Sequence, residues 1–215
     1  MLSIIVIIVL SYLAGSIPTS IIMSKLTRGI DIRNYGSGNA GATNAIRVLG
    51  WKVGIVVILV DVGKGVLATL LISKLRIDPI PFSHNLIQII AGISAVLGHI
   101  WTIFAGFKGG KGVGTAAGML FSLYPIAGLV CLLIFAVVLL SGRYVSVASM
   151  TAAISLPFVI IILNKFFNTQ ISNELFYFAI FMALLIVFTH RSNIKRLMEG
   201  RENRIKKISF RGAKD

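Results

Sequence analysis

Charge is scarce in this chain of 215 residues: Asp, Glu, Lys and Arg make up 13% of it, where a soluble domain carries about 25%. Acids are rarer still, seven against 21 Lys and Arg, which leaves a formal net charge of +14. There is one cysteine, Cys131, set inside an apolar run. No disulfide can form within the chain, and the thiol reads as core packing. The first apolar run lacks the basic flank and the A-x-A pattern of a cleaved signal, since "GSIPTS" runs on into more apolar residues; it is expected to be retained as a span. The basic residues are not laid out as a face with interleaved aromatics, so nucleic acid is not the expected partner. No internal repeat or low-complexity tract is visible, and a single domain over residues 1–215 with a basic tail is expected. No metal or cofactor is expected.

What is present is apolar. Hydrophobic residues make up 56% of the chain, and the mean hydropathy is +0.91. The uncharged runs Met1–Ser24, Leu86–Phe107, Gly112–Gly142 and Tyr144–Asn164 approach or exceed the roughly 20 residues that cross a bilayer as a helix. Val53–Ser73 is as long but carries Asp61 and Lys64, and Leu175–Thr189 is shorter, able to span with help from its flanks or local thinning. The expected fold is all-α, a polytopic integral membrane protein.

The charges sit at the ends of the runs, as positive-inside topology requires. Lys25, Arg28, Arg33, Arg47 and Lys52 accompany one acid, Asp31; Lys108 and Lys111 mark a second basic connection; nine basic residues and three acids follow from Arg191 onward. The linker "KLRIDP" is closer to neutral. The three basic regions are therefore expected in the cytoplasm and the linker outside. Six plain crossings would place the first basic loop and the tail on opposite faces. An even number of crossings must follow that loop, and Tyr144–Asn164, with Pro157 inside it, is expected to supply two half-helices or a hairpin. The N-terminus is then outside and the C-terminus cytoplasmic.

Three polar clusters gather on that face. In "DIRNYGSGNAGATNAIR" the segment Gly36–Gly41 matches G-x-G-x-x-G, a weak signal without a βαβ unit around it. Gly36 and Gly38 let backbone N–H groups approach an anion. Ser37, Asn39, Thr43 and Asn44 are neutral hydrogen-bonding groups, and Arg47 is a planar charge suited to phosphate. A solvated loop of turn residues accounts for this stretch equally well. "GFKGGKGVGT" is not a Walker A loop, because Ala105 occupies the first glycine position and Gly112 follows Lys111 where Ser or Thr should stand. Two lysines and four glycines between Gly106 and Gly112 exceed what a turn needs. Lys108, Gly109, Gly110, Lys111 and Gly112 are expected to form a nest for phosphate oxygens, aided by the start of the next helix. In "HRSNIKRLMEGREN", His190 and Asn193 share a helical face, and neither is needed for topology. Arg191, Lys195, Arg196, Arg201 and Arg204 read as a tail touching acidic lipid. Asp61 and Lys64, three apart within a span, are expected to face one another; a function and a neutralised structural pair both fit. His99, two turns before the glycine–lysine loop, either packs helices or orients that loop.

Taken together, "GSIPTS", "DIRNYGSGNAGATN", "GHIWTIFAGFKGGKGVGT" and "HRSNIKRLMEGREN" resemble the bacterial acyl-phosphate:glycerol-3-phosphate acyltransferase family, in order and over nearly the whole chain. The resemblance implies a seven-helix enzyme of the inner membrane with an external N-terminus and cytoplasmic motifs. It implies transfer of a fatty acyl group from acyl phosphate to the 1-position of glycerol 3-phosphate, releasing phosphate and lysophosphatidic acid. It also implies, as a partner besides lipid and substrates, the soluble enzyme that makes acyl phosphate. By motif position it implicates Ser37, Thr43, Asn44, Arg47, Lys111 with its glycines, His190 and Asn193. Thr102 stands where a proline is common, and Gly114 where alanine is frequent; the first bears on how the helix enters the loop. A mixed anhydride needs no acyl-enzyme. The Gly109–Gly112 backbone with Lys111 is expected to take one phosphate, and Arg47, Ser37 and Asn44 the other, in either assignment, with His190 as base or positioning group. The His-x₄-Asp pair of acyl-CoA enzymes is absent, since Ile89, Phe104 and Lys195 follow the three histidines. The rival reading is an anion or phosphate-ester transporter, which would thread polar residues through several spans.

Overall fold

The computed structural model describes residues 1–167 and 171–205; Lys206, Lys207, Arg211 and Lys214 of the basic tail lie outside the described residues. All the regular structure described is helical. The first run is two helices, α1 (Leu2–Gly15) and α2 (Thr19–Arg28). Pro18 separates them, because a proline has no N–H to carry the ladder onward. A loop and the short α3 (Ala42–Leu49) lead into α4 (Trp51–Leu70). Then come α5 (His84–Ile100), α6 (Val113–Leu123), α7 (Pro125–Gly142), α8 (Val145–Phe167), α9 (Asn173–Thr189) and α10 (Arg191–Met198). Ser83 and Ser172 cap α5 and α9 by accepting from Leu86 N and Leu175 N, which satisfies orphan donors at those starts. Among the described residues, five stretches are long and apolar enough to cross a membrane. The bent pair α9–α10, with 56° between its halves, would make a sixth.

The expectation of half-helices around Pro157 is overturned: α8 is one 23-residue helix with Pro157 inside it. The extra reversal lies within Gly112–Gly142 instead. Tyr124, next to Pro125, leaves helical geometry (φ −150°, ψ 80°), as a residue before proline tends to do, and Pro125 opens α7 at the position it suits best. Lys111, Asn193, Glu202 and Ser146 are joined by successive hydrogen bonds. The starts of α6 and α8 therefore lie at the same end of the bundle, so α6 leaves that end and α7 returns to it. At about 1.5 Å per residue, the 11 residues of α6 make a short helix.

The bundle is held by a core of Val96, Met119, Ile160, Phe178 and Met182 and by close backbone approaches. Gly118 packs so tightly on α4 that an added Cβ would collide with the Val62 carbonyl, the small-residue contact that helices use where lipid surrounds them. Gly118→Ala should lower stability by about 1–3 kcal/mol, read as a lower thermal midpoint in detergent. Large side chains such as Leu59, Leu133 and Leu184 stay exposed and face the hydrocarbon. Cys131 is buried as expected.

Candidate active site

The loop between α2 and α3 is shaped from inside by Asn44. This side chain is 1% exposed. Its Oδ1 accepts from Ser37 N at 2.9 Å, and its Nδ2 donates to Tyr35 O at 3.0 Å and Ile32 O at 3.3 Å. Gly36 is obligatory there: its φ is +64°, and a Cβ would strike Asn44 Oδ1. The amide expected to hold phosphate is thus committed to the loop, and its effect is to present Ser37, Gly38 and Asn39 to a pocket. Arg33 pairs with Asp31 at 2.7 Å and donates to Ala105 O at 2.8 Å, tying this loop to the next. The Arg33 guanidinium holds the Asp31 carboxyl down to about 2. Thr43 and Arg47 lie on one face of α3, four residues apart, outside the pocket wall.

The glycine–lysine loop folds back on the end of α5. Gly109 N donates to Ile100 O and Gly110 N to His99 O, both at 3.0 Å, and Phe107 N donates to Thr102 O at 2.8 Å. This corrects the expected nest at Gly109 and Gly110. Their N–H groups satisfy the carbonyls that every helix C-terminus leaves unpaired, and the glycines are needed for closeness. Gly112, with φ +84°, caps α6, and the amides that a helix start leaves without an intrahelical partner follow it, just behind Lys111, where the pocket lining from this loop ends. At the expected entry point, Thr102 donates its hydroxyl to Ser16 O, anchoring the loop to the end of α1.

Lys111 is where the loops meet. Its Nζ donates to Asn193 Oδ1, and its carbonyl accepts from Thr189 Oγ1 at 3.2 Å. Burial lowers its ammonium to about 8, with Arg196 and Arg47 pushing the same way and Glu202 opposing. The charges of Arg196 and Arg47 thus press on Lys111 while the Glu202 carboxylate partly offsets them. The orientation of Asn193 is set by Glu202. This carboxylate accepts from Asn193 Nδ2 at 2.6 Å, Ser146 Oγ at 2.8 Å and Arg196 Nε at 2.8 Å. An acceptor-only group on the amide nitrogen leaves the amide oxygen for Lys111. Burial raises the Glu202 carboxyl, but these donors outweigh it and the net shift is downward. His190 is buried, with Nδ1 2.7 Å from Ile186 O. A carbonyl only accepts, so Nδ1 carries the ring proton and Nε2 the lone pair. Burial, then the Lys111 charge, lower this histidine to about 4, so the ring is neutral at physiological pH.

The resulting pocket, about 310 Å³, is lined on its polar side by Ser37, Asn39, Lys108, Lys111, Arg191, Ser192 and Arg196. Its other wall is Ile100, Trp101, Phe107 and Phe188. It brings Ser37, Gly38, Asn39, Lys108, Gly109, Gly110 and Lys111 together; Gly36, Asn44, Gly112, His190 and Asn193 support it from behind. Arg191 and Arg196, read as topology charges, belong to the wall. Glu202 was missed as well: it is one of three acids in a basic tail, and "EGREN" offered carboxylates beside an expected site. If Lys111 supplies the anion charge, affinity for inorganic phosphate should fall about fivefold between pH 8 and pH 9, because the charged form predominates below about 8 and is lost above it. Calorimetry on the detergent-solubilised protein checks this.

A helical bundle with lipid-facing apolar helices and a pocket lined by both cationic and apolar side chains defines an integral membrane protein. A family model described as glycerol-3-phosphate acyltransferase matches residues 5–200. The glycerol-3-phosphate acyltransferase of Chlorobium phaeobacteroides (strain BS1) is 46% identical, over 96% of this chain and 98% of that protein. That of Chlorobaculum tepidum is 46% identical over 95% and 97%. A crystal structure of PlsY (YgiH), an integral membrane glycerol 3-phosphate acyltransferase in its glycerol 3-phosphate form, superposes with a TM-score of 0.81 at 38% identity, covering 95% of this chain and 96% of that one. Its lysophosphatidic acid form gives 0.79. The chain belongs to the glycerol-3-phosphate acyltransferase family.

Proposed function

We propose that the protein transfers a fatty acyl group from acyl phosphate to the 1-hydroxyl of glycerol 3-phosphate, giving lysophosphatidic acid and phosphate. The observation that carries this is Lys111, held by Asn193 in a pocket lined by Arg191 and Arg196 together with the apolar Ile100, Trp101, Phe107 and Phe188. Two phosphates repel each other, and the convergent cations offset that repulsion. The acceptor oxygen attacks the acyl carbon, and the bond from that carbon to the phosphate oxygen breaks. Lys111 and the first turn of α6 stabilise the charge on the departing phosphate. The hydroxyl proton passes to that phosphate, which is the stronger base beside a histidine held near 4; His190 then acts through its support of Lys111. Ser37, Asn39 and Arg196 orient the phosphate of the partner substrate, in either assignment, and the apolar wall takes the start of the acyl chain. Proximity supplies much of the rate.

The site is read as facing the cytoplasm of a bacterial inner membrane. The chain is read as one domain over 1–215 with seven crossings: α1–α2 together, α4, α5, α6, α7, α8 and α9. The N-terminus is then outside and the C-terminus inside. The positive-inside distribution supports this, as does the shared end of the starts of α6 and α8. A soluble enzyme making acyl phosphate would deliver the donor at that face. The test is phosphate release by purified protein in detergent given acyl phosphate with and without glycerol 3-phosphate. Acceptor-dependent release with lysophosphatidic acid formed supports the reading. No such release, with labelled phosphate crossing liposomes instead, overturns it.

A further inference from the structure

Beneath the pocket, inside the membrane-spanning helices, lies an ionic cluster that the mechanism does not use. Asp61, Lys64 and His99 are each less than a tenth exposed. Lys64 Nζ lies 2.8 Å from Asp61 Oδ1, donates to Ile17 O at 2.8 Å, and stands 3.3 Å from His99 Nδ1. Thr19 Oγ1 donates to Asp61 Oδ1 at 3.3 Å. The cluster thus joins α2, α4, α5 and the break between α1 and α2. Charges at this depth are costly, and Asp61 and Lys64 would neutralise one another without a histidine. The position of the ring is informative. Nδ1 faces both members of the pair, the Lys64 ammonium at 3.3 Å, which only donates, and Asp61 Oδ1 at 3.6 Å, which only accepts. Nε2 lies directly under the Cα of Gly110: a Cβ there would collide with it and would come within 2.9 Å of Ala40 O. The carbonyl of His99 also accepts from Gly110 N at 3.0 Å. One residue therefore touches Gly110 twice, one position before Lys111, and its ring reaches the place where the α2–α3 loop meets the glycine–lysine loop.

We propose that His99 is a positioning residue for acyl transfer, seated by the Asp61–Lys64 pair, and that it sets the height of Gly110 and so the reach of Lys111 into the pocket. This rests on the reading of the pocket as the acyl-transfer site. The chain of action runs from Lys64 to the His99 ring, to the Gly110 backbone, and on to the Lys111 side chain.

The test is steady-state kinetics of purified His99→Ala, His99→Gln and Gly110→Ala, together with the His99→Ala/Gly110→Ala double variant. His99→Ala should raise the KM for one phosphate-bearing substrate about tenfold or more. His99→Gln, which keeps a polar group at the reach of Nε2, should recover most of that. A merely structural role would lower the amount of active enzyme and hence Vmax, leaving the KM of the surviving fraction unchanged; that result overturns the inference. The double variant gives a second readout should His99→Ala alone fold poorly, because removing the ring removes what the new Cβ strikes. Its KM should be no higher than that of Gly110→Ala. Single effects that multiply would overturn the proposal. Wild-type protein without acceptor-dependent phosphate release would sink the proposed function itself, whereas active wild type with unaltered KM in the His99 variants sinks this inference alone.

Discussion

Lys111→Ala should lower kcat by about 10²–10³, the loss seen when one group that stabilises developing negative charge is removed from a preorganised site. Three features make the effect large. The ammonium is held by Asn193 Oδ1, whose own orientation is set by Glu202, so its position costs no reorganisation at the moment of reaction. Its surroundings are partly desolvated, which strengthens each charge–charge interaction relative to water. The neighbouring Arg196, whose charge already presses on it, is tied to Glu202 at 2.8 Å and so is not free to take its place. Fold stability should change little, because removing one of three mutually repelling cations relieves as much as it loses. Lys111→Arg should not restore activity. A guanidinium is planar and wide where the site accommodates a point charge on a flexible stem. Turnover measured beside thermal unfolding in detergent separates these outcomes, and Lys111→Ala activity within a few-fold of wild type would sink the role.

Gly109→Ala should cost about 10² in kcat/KM, the scale of a 1 Å misplacement of catalytic groups. A Cβ there would collide with the His99 carbonyl, come within 2.9 Å of the Ile100 carbonyl, and meet Thr102 Cγ2 at 3.0 Å. The first two are backbone atoms at the end of α5 and cannot swing aside. The loop has to lift, breaking the bond from Gly109 N to Ile100 O and carrying Lys111 with it. Gly106 is the internal control. It has positive φ, +65°, but open space around it, so Gly106→Ala meets strain of only about 1–2 kcal/mol and should retain most activity. Equal losses at both positions would show that the loop is sensitive to any alanine, and would remove the packing argument.

Much of the site was legible because its chemistry is carried by residue types with no reason to sit at a bilayer edge. Lys111 between glycines, the Ser37–Asn39 run, and the pair His190 and Asn193 stood out against a chain so poor in polar groups. Glu202 and Arg196 did not, because basic residues after a last span have a ready explanation in topology and an acid among them draws no notice. Only the approach of the tail to Asn193 and Ser146 gives that carboxylate a task. Gly109 and Gly110 were recognised as special for the wrong reason. A run of glycines reads the same whether its amides await an anion or already serve a helix end, and hydrogen-bond partners are not written in local sequence. Asn44 was misread in the same way, since an amide that faces a ligand and one that braces its own loop share one letter.

The amino-acid sequence alone determined that this is a helical membrane protein, and its charge pattern set the expectation that the basic ends share a face with an even number of crossings after the first loop. Those conclusions come from hydrophobic length and charge, quantities that add along a chain. Tertiary structure decided where the extra reversal falls, at Tyr124–Pro125 rather than at Pro157. A proline inside a long helix is tolerated when the surrounding packing holds the helix together, and packing is not written in local sequence. It also decided that Asp61, Lys64 and His99 form one buried cluster under Gly110, because residues up to 38 positions apart meet only once α4 and α5 are laid side by side.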